Sequence, residues 1–341
     1  MRHELWYYQK VRYSGMHSAN REQQNMWHAN ILKALKPLAF QVFTLAVKLL
    51  SGKRIGTFRP AAALYRYLAR SLIPEQKRLV YADGHKMFVH MEGYKGDGIA
   101  QEVLFYGSYE RYVTILFKEL LSEGMNMVDI GANIGYYTLL AAKLVGERGK
   151  VFAFEPEPEN YALLLRNIEV NGYKNCVPVR QAVSNKAGKV KLFLSKADPG
   201  MHSLYRAEEN ATEAITVDTI SLDDFFKDKE CPIDIIKVDV EGAEMAVLQG
   251  MATIIKNNEN LKIFTEFYPA LLQSSGFWAG EYWDKLMECG FKFIYLINEQ
   301  KQRLEPADFA SIMRFCKSTF FREPTFVNLL CTKSPLEVSN H

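Results

Sequence analysis

This 341-residue chain has no Cys-x-x-Cys pair, and its cysteine count is odd: Cys176, Cys231, Cys289, Cys316 and Cys331 stand far apart. That scatter argues against a disulfide framework and a thiolate zinc site, and predicts reduced thiols in a cytoplasmic protein. Nor is there an uninterrupted apolar run of the ~18 residues a spanning helix needs. The nearest candidate, Ile31–Leu50, is broken by Lys33, Lys36 and Lys48. The opening MRHELWYYQKVRYSG spreads its charges without an apolar core, so it does not read as a signal peptide. Internal repeats and low-complexity tracts are also missing. Two fingerprints of nicotinamide enzymes, G-x-G-x-x-G and Tyr-x-x-x-Lys, are lacking as well.

What is present has an ordinary soluble composition, 48% apolar and 24% charged, in a chain long enough for one large domain with appendages. The net charge of +3 is unevenly placed. Residues 1–60 hold ten Lys/Arg against two Glu, which leaves 32 against 37 in the remainder. A basic arm on a mildly acidic body suits an anionic partner such as a lipid surface, and its confinement to the arm argues against nucleic acid. Helical spacing over 31–50 predicts an amphipathic helix that lies on a membrane or packs on the body; both readings stay open. A second short helix is expected over Ala61–Ser71. Alternation around Asp83–Gly84 predicts a β-hairpin between Arg78 and His90. Residues 1–110 are therefore read as an N-terminal helical and hairpin extension able to cover an active site, and 111–341 as the main domain.

From residue 111 strands and helices alternate with short connections. Helix is expected over Val113–Ser122, strand over Met125–Ile130, helix from Gly135 to Leu144, strand over Lys150–Glu155 and helix over Glu157–Asn171, stopped by Gly172. Strands near Val177–Val183, Lys189–Leu194, Ala214–Ile220, Ile233–Asp239 and Leu261–Phe267 follow, with helices at Leu222–Phe226 and Ala243–Gln249 between them. This pattern predicts an α/β fold with a doubly wound, mostly parallel sheet covered on both faces.

The segment Val128-Asp-Ile-Gly-Ala-Asn-Ile-Gly-Tyr-Tyr-Thr138 lies where the first of these strands hands over to a helix, the place where such sheets bind ligands. Gly131 and Gly135 allow a sharp turn and close approach of a ligand. Asp129 beside the loop opposes a pyrophosphate and suits a ligand that carries an ammonium group. Glu155, at the end of the next strand, can accept hydrogen bonds from both hydroxyls of a ribose, and Pro156 fixes the chain after it. Read alone, these features leave a nicotinamide-dependent oxidoreductase as the alternative. The basic arm leaves a membrane-docked, non-catalytic binding module as another.

The ordered segments VDIGANIGYYT, FEPEPENY, QAVSNKAGKVKLFLS, TVDTISLDDFF and IDIIKVDVEGAEMAVLQGM resemble the FkbM-type methyltransferase family over roughly residues 105–268. The resemblance implies a class I methyltransferase (Rossmann-like) sheet, S-adenosylmethionine as methyl donor, and O-methylation of sugars, glycans or other hydroxylated metabolites. It places Asp129, Gly131, Ala132, Asn133 and Gly135 around the methionine portion of the donor, Glu155 and Pro156 at the ribose, and Ala182 and Val183 at the adenine. Glu110 resembles a carboxylate that helps bind the donor.

Methyl transfer to a hydroxyl also needs a group to orient the acceptor and take its proton. Asp239, at a strand end in IKVDVEGAE, is the first candidate; Glu241, Glu266 in FTEFYP, and His202 in a polar loop are the others. Asp239, Glu241 and Glu244 together could bind Mg²⁺, although no further ligand cluster marks a metal site.

Overall fold

Apolar runs of four to six residues, too short for stable helices, must pair into a sheet and be covered on both faces. In the computed structural model they do so between residues 126 and 332. The structure describes residues 35–36, 38–47, 68, 78–89, 98–195, 202–204, 213–320 and 326–336. The basic arm before residue 35, most of the helix expected over Ala61–Ser71, and the loop stretch 196–201 lie outside the described residues. The chain divides into two compact units, Met1–Glu75 and Gln76–His341.

The larger unit opens with the hairpin β1 (Arg78–Ala82) and β2 (His85–Val89), followed by helices α1 (Gly98–Tyr106) and α2 (Arg111–Leu120). Asp83 and Gly84 both have positive φ, 46° and 83°, as a two-residue hairpin turn of matching twist requires. Next come β3 (Asn126–Ile130), α3 (Tyr136–Val145), β4 (Lys150–Phe154), α4 (Pro158–Asn171), β5 (Cys176–Val179), β6 (Ala182–Val183), β7 (Gly188–Leu194) and β8 (Glu213–Ile220). The remaining strands are β9 (Ile235–Val238), β10 (Lys262–Phe267), β11 (Phe293–Asn298), β12 (Arg303–Ala307) and β13 (Val327–Thr332).

Eight strands form the main sheet in the order β12-β11-β13-β10-β9-β3-β4-β5. Strands β5, β4, β3, β9 and β10 run parallel, whereas β13, β11 and β12 are antiparallel to their neighbours. The chain starts in the middle at β3, winds outward through β4 and β5, then returns to β9 on the other side of β3. This is the doubly wound, mostly parallel, Rossmann-like sheet expected from the sequence, with its switch point between β3 and β9. Both central strands are buried along nearly their whole length, and their residues join one core with the covering helices.

Two expectations are corrected. The run Val177–Val183 is not one strand. It splits into β5, on the edge of the main sheet, and β6, which pairs with β8 in a separate three-stranded sheet, β6-β8-β7. Pro178 lacks an amide donor and is tolerated on the edge strand, after which Arg180 and Gln181 carry the chain away. The hairpin, expected in the N-terminal extension, belongs to the larger unit. The side chains of Asn167 and Asn171, one turn apart on α4, accept from the amides of Phe88 and Lys86 at 2.6 and 2.9 Å. They also donate to the carbonyls of the same two residues, so α4 stands in for a neighbouring strand along β2.

In the smaller unit residues 38–47 are helical. Phe40 and Phe43 are buried, whereas Leu35, Leu38, Val42 and Leu45 are each more than half exposed. Among the described residues no helix is long and apolar enough to cross a membrane.

Candidate active site

A cavity of about 300 Å³ opens at the carboxyl ends of β3, β4, β9 and β10, at the switch point. Its first wall is the loop between β3 and α3. Gly131 has φ 78°, and a Cβ there would lie 1.8 Å from the carbonyl oxygen of Asp239, so this backbone passes directly against the exit of β9. Gly135, φ 95°, caps α3, where a Cβ would meet Leu164 at 2.6 Å. The amides of Gly131 and Ala132 both donate to Phe154 O, at 3.0 and 2.9 Å, which ties the loop to the end of β4.

Glu155 completes that tie. The Asn133 amide donates to its Oε2 at 2.8 Å and the Glu157 amide to its Oε1 at 2.9 Å. Each carboxylate oxygen can accept twice, so both keep capacity for a further donor. Burial, helped by the charges of Glu157 and Asp129, outweighs the two amide donors and pushes the carboxyl up to about 8. Asp129 is buried at the end of β3, and the Thr138 hydroxyl donates to its Oδ2 at 2.6 Å. Its carboxyl is also raised by burial, against the pull of Lys237. Among the described residues Asp129 Oδ1 and Asn133 Oδ1 are buried acceptors with no donor.

The second wall comes from β9 and β10. Lys237 and Asp239 point to the same side of the chain two residues apart, and Lys237 Nζ donates to Asp239 Oδ2 at 2.6 Å. The ammonium also lies 4.7 Å from the centre of the Tyr137 ring. Burial alone would lower the lysine, but Asp239, Asp129 and Glu110 outweigh it and hold it above the ordinary range. Glu241 has φ 50° and its carbonyl accepts from the Ser203 hydroxyl at 2.5 Å. Glu266 ends β10 with its carboxyl raised well above the usual range, first by burial and then by Asp239 and Glu241. Oxygens of Asp239, Glu241 and Glu266 all lie within 4.8 Å of one another.

Of the residues expected at the site, Asp129, Gly131, Ala132, Asn133, Glu155, Pro156, Ala182 and Val183 line the cavity, as do His202, Asp239, Glu241 and Glu266. Gly135 and Glu110 are not part of the wall. Both oxygens of Glu110 are taken by protein donors, Tyr137 at 2.7 Å and Asn328 at 2.6 Å, while the adjacent Tyr109 lines the cavity. Burial raises the Glu110 carboxyl to about 7. Glu244 turns to the amide of Gly242 at 3.0 Å, which leaves Glu266 as the third close carboxylate in its place. His202 Nδ1 accepts from the Ser195 amide at 3.1 Å. That bond engages one of its two ring nitrogens.

Lys237 was not singled out by the motifs. Its signal was a lone charge in the apolar strand Ile235–Val238, two residues before a carboxylate and therefore on the same face. Tyr268, Phe326 and the α1 residues Gly98, Ile99 and Glu102 also reach the wall, from parts of the chain that carry no motif.

Residues 129–293 match the family described as Methyltransferase FkbM domain. That segment, just under half of the chain, is similar to an FkbM methyltransferase domain. Over 151 residues the chain is 31% identical to the hexuronic acid methyltransferase AglP of Haloferax volcanii, covering 43% of this chain and 59% of that one. Over 155 residues it is 32% identical to methyltransferase sdnD of Sordaria araneosa, covering 37% of this chain and 60% of that one. The chain spans about three fifths of the length of these curated relatives. A solved FkbM methyltransferase from Methylobacillus flagellatus KT is 14% identical, with a TM-score of 0.38, covering 89% of this chain and 60% of that one.

Proposed function

We propose that this chain is an S-adenosylmethionine-dependent O-methyltransferase acting on a hydroxyl of a sugar, glycan or other hydroxylated metabolite. One observation carries the reading: Asp129 Oδ1 is buried at the switch point with no donor among the described residues, beside a cavity. An unmet buried acceptor costs roughly 1–3 kcal/mol, and an ammonium group removes that cost. Glu155, one strand over, keeps acceptor capacity for a diol. Asp129 and Glu155 would hold the amino acid and ribose portions of the donor, with Ala182 and Val183 against its base. The relative described as a hexuronic acid methyltransferase supports a sugar acceptor.

The donor, when bound, supplies a sulfonium methyl: the acceptor oxygen forms the new C–O bond while the C–S electron pair returns to sulfur. The chain's part is to hold the acceptor oxygen and receive its proton. Asp239 suits this, because Lys237 fixes one of its oxygens and its side chain remains 30% exposed. Calorimetric titration with S-adenosylhomocysteine and with NAD tests the reading. Micromolar binding of the first is expected; binding of NAD alone would overturn it in favour of an oxidoreductase.

A second observation concerns the smaller unit. Leu35, Leu38, Val42 and Leu45 recur at helical spacing as an exposed apolar stripe, with Lys36 exposed among them. With ten basic against two acidic residues in 1–60, this face suits an anionic lipid surface. The full chain should co-sediment with phosphatidylserine-containing vesicles but not with pure phosphatidylcholine, and the double variant L38E/V42E should stay in the supernatant. Equal sedimentation of variant and wild type would overturn this.

A further inference from the structure

We propose that Asp239, Glu241 and Glu266 form a divalent-cation site at the acceptor end of the cavity, which presents two adjacent acceptor hydroxyls to the methyl donor. The role in acceptor binding rests on the methyltransferase reading; the cation site itself rests on the side chains.

Three carboxylate oxygens that lie within 4.8 Å of one another are near enough to share one cation after a small inward movement of the side chains to the roughly 2.1–2.5 Å typical of Mg²⁺ and Ca²⁺. They come from the ends of two neighbouring strands, β9 and β10, whose pairing fixes their spacing.

A second observation points to a ligand. Glu266 is 7% exposed, lines the cavity, and its Oε2 has no hydrogen-bond donor among the described residues. A buried carboxylate oxygen left so is costly in a native fold, and a cation meets it without a further protein donor. The donor set is oxygen only, which favours Mg²⁺, Mn²⁺ or Ca²⁺ over Zn²⁺. With three protein oxygens, an octahedral ion keeps about three positions open toward the cavity. Two neighbouring hydroxyls of a polyol chelate the ion and displace two waters from such positions, whereas an isolated hydroxyl displaces one. The acceptor class is accordingly a vicinal diol, as in a sugar ring.

The test is a titration of the full chain with MnCl₂, followed by electron paramagnetic resonance of the free ion. One site per chain is expected, competed by Mg²⁺ and weakened at least tenfold in E266Q and separately in E241Q. Affinity for S-adenosylhomocysteine, measured in EDTA, should stay within twofold of its value with metal. A wild-type chain that binds S-adenosylhomocysteine but no Mn²⁺ overturns the cation site and leaves the donor reading standing. Mn²⁺ binding that survives both substitutions unchanged also overturns it. Mn²⁺ binding without any S-adenosylhomocysteine binding would uphold the site and sink the donor reading instead.

Discussion

The donor end and the acceptor end of the cavity are both lined by carboxylates, yet they are held in different ways. At the donor end, Glu155 is clamped by two backbone amides and Asp129 by one hydroxyl from the following helix. At the proposed acceptor end, oxygens of three carboxylates from two strand ends lie within 4.8 Å of one another, and Lys237 is bonded to one of them, Asp239. The first arrangement fixes Glu155 with backbone donors but leaves Asp129 Oδ1 and Asn133 Oδ1 without a donor among the described residues. The second leaves Glu266 Oε2 without one among the described residues. On the proposed assignment, the first end would set the affinity for the methyl donor and the second the selectivity for the acceptor.

The largest expected effect is at the point where the two ends touch. Gly131→Ala places a methyl on the Asp239 carbonyl at positive φ, so it should abolish S-adenosylhomocysteine binding and cost roughly 3 kcal/mol or more of stability. Calorimetry and urea unfolding would show this; retained binding would mean the close backbone contact does not matter. Next, Asp239→Asn should lower turnover by about 10²- to 10⁴-fold while leaving S-adenosylhomocysteine affinity within twofold. A matching loss of affinity would erase the distinction between the ends.

Glu155→Ala should do the reverse, weakening S-adenosylhomocysteine by roughly 10- to 100-fold with little further effect on the bound complex. Stability should also track pH. Glu110 and Glu244 are raised to about 7 and Glu155 to about 8, from an ordinary 4.5, by burial in each case first. Between these values the folded chain holds protons that the unfolded chain has released. Stability without ligand should therefore be highest near the lower end and fall as pH rises from about 5 to 8. Urea unfolding across that range checks the sign, and Glu155→Gln should flatten its upper part; a rise would refute the assignment. The smallest effect is expected for His202→Ala, less than about threefold in turnover, because its Nδ1 is committed to Ser195.

Much of the donor end was legible in one dimension. Asp129 to Gly135 is a contiguous stretch, Glu155 follows at the next strand end, and strand-helix alternation placed both at a switch point. Short-range requirements of this kind leave marks in sequence: glycine where φ is positive, an acidic residue at a strand end, glycine again where a helix stops at residue 172. The hairpin turn at Asp83–Gly84 was legible for the same reason.

The sequence alone therefore determined the fold class, the FkbM motifs and the donor-binding loop, since each depends on residues near one another in the chain. Only the tertiary structure decided the rest. It broke Val177–Val183 between two sheets, turned Glu110 and Glu244 to protein donors, and set Lys237 against Asp239. It also brought Glu266 beside Asp239 and Glu241. Those outcomes depend on which strands become neighbours and how deeply each charge is buried, and no spacing along the chain records either.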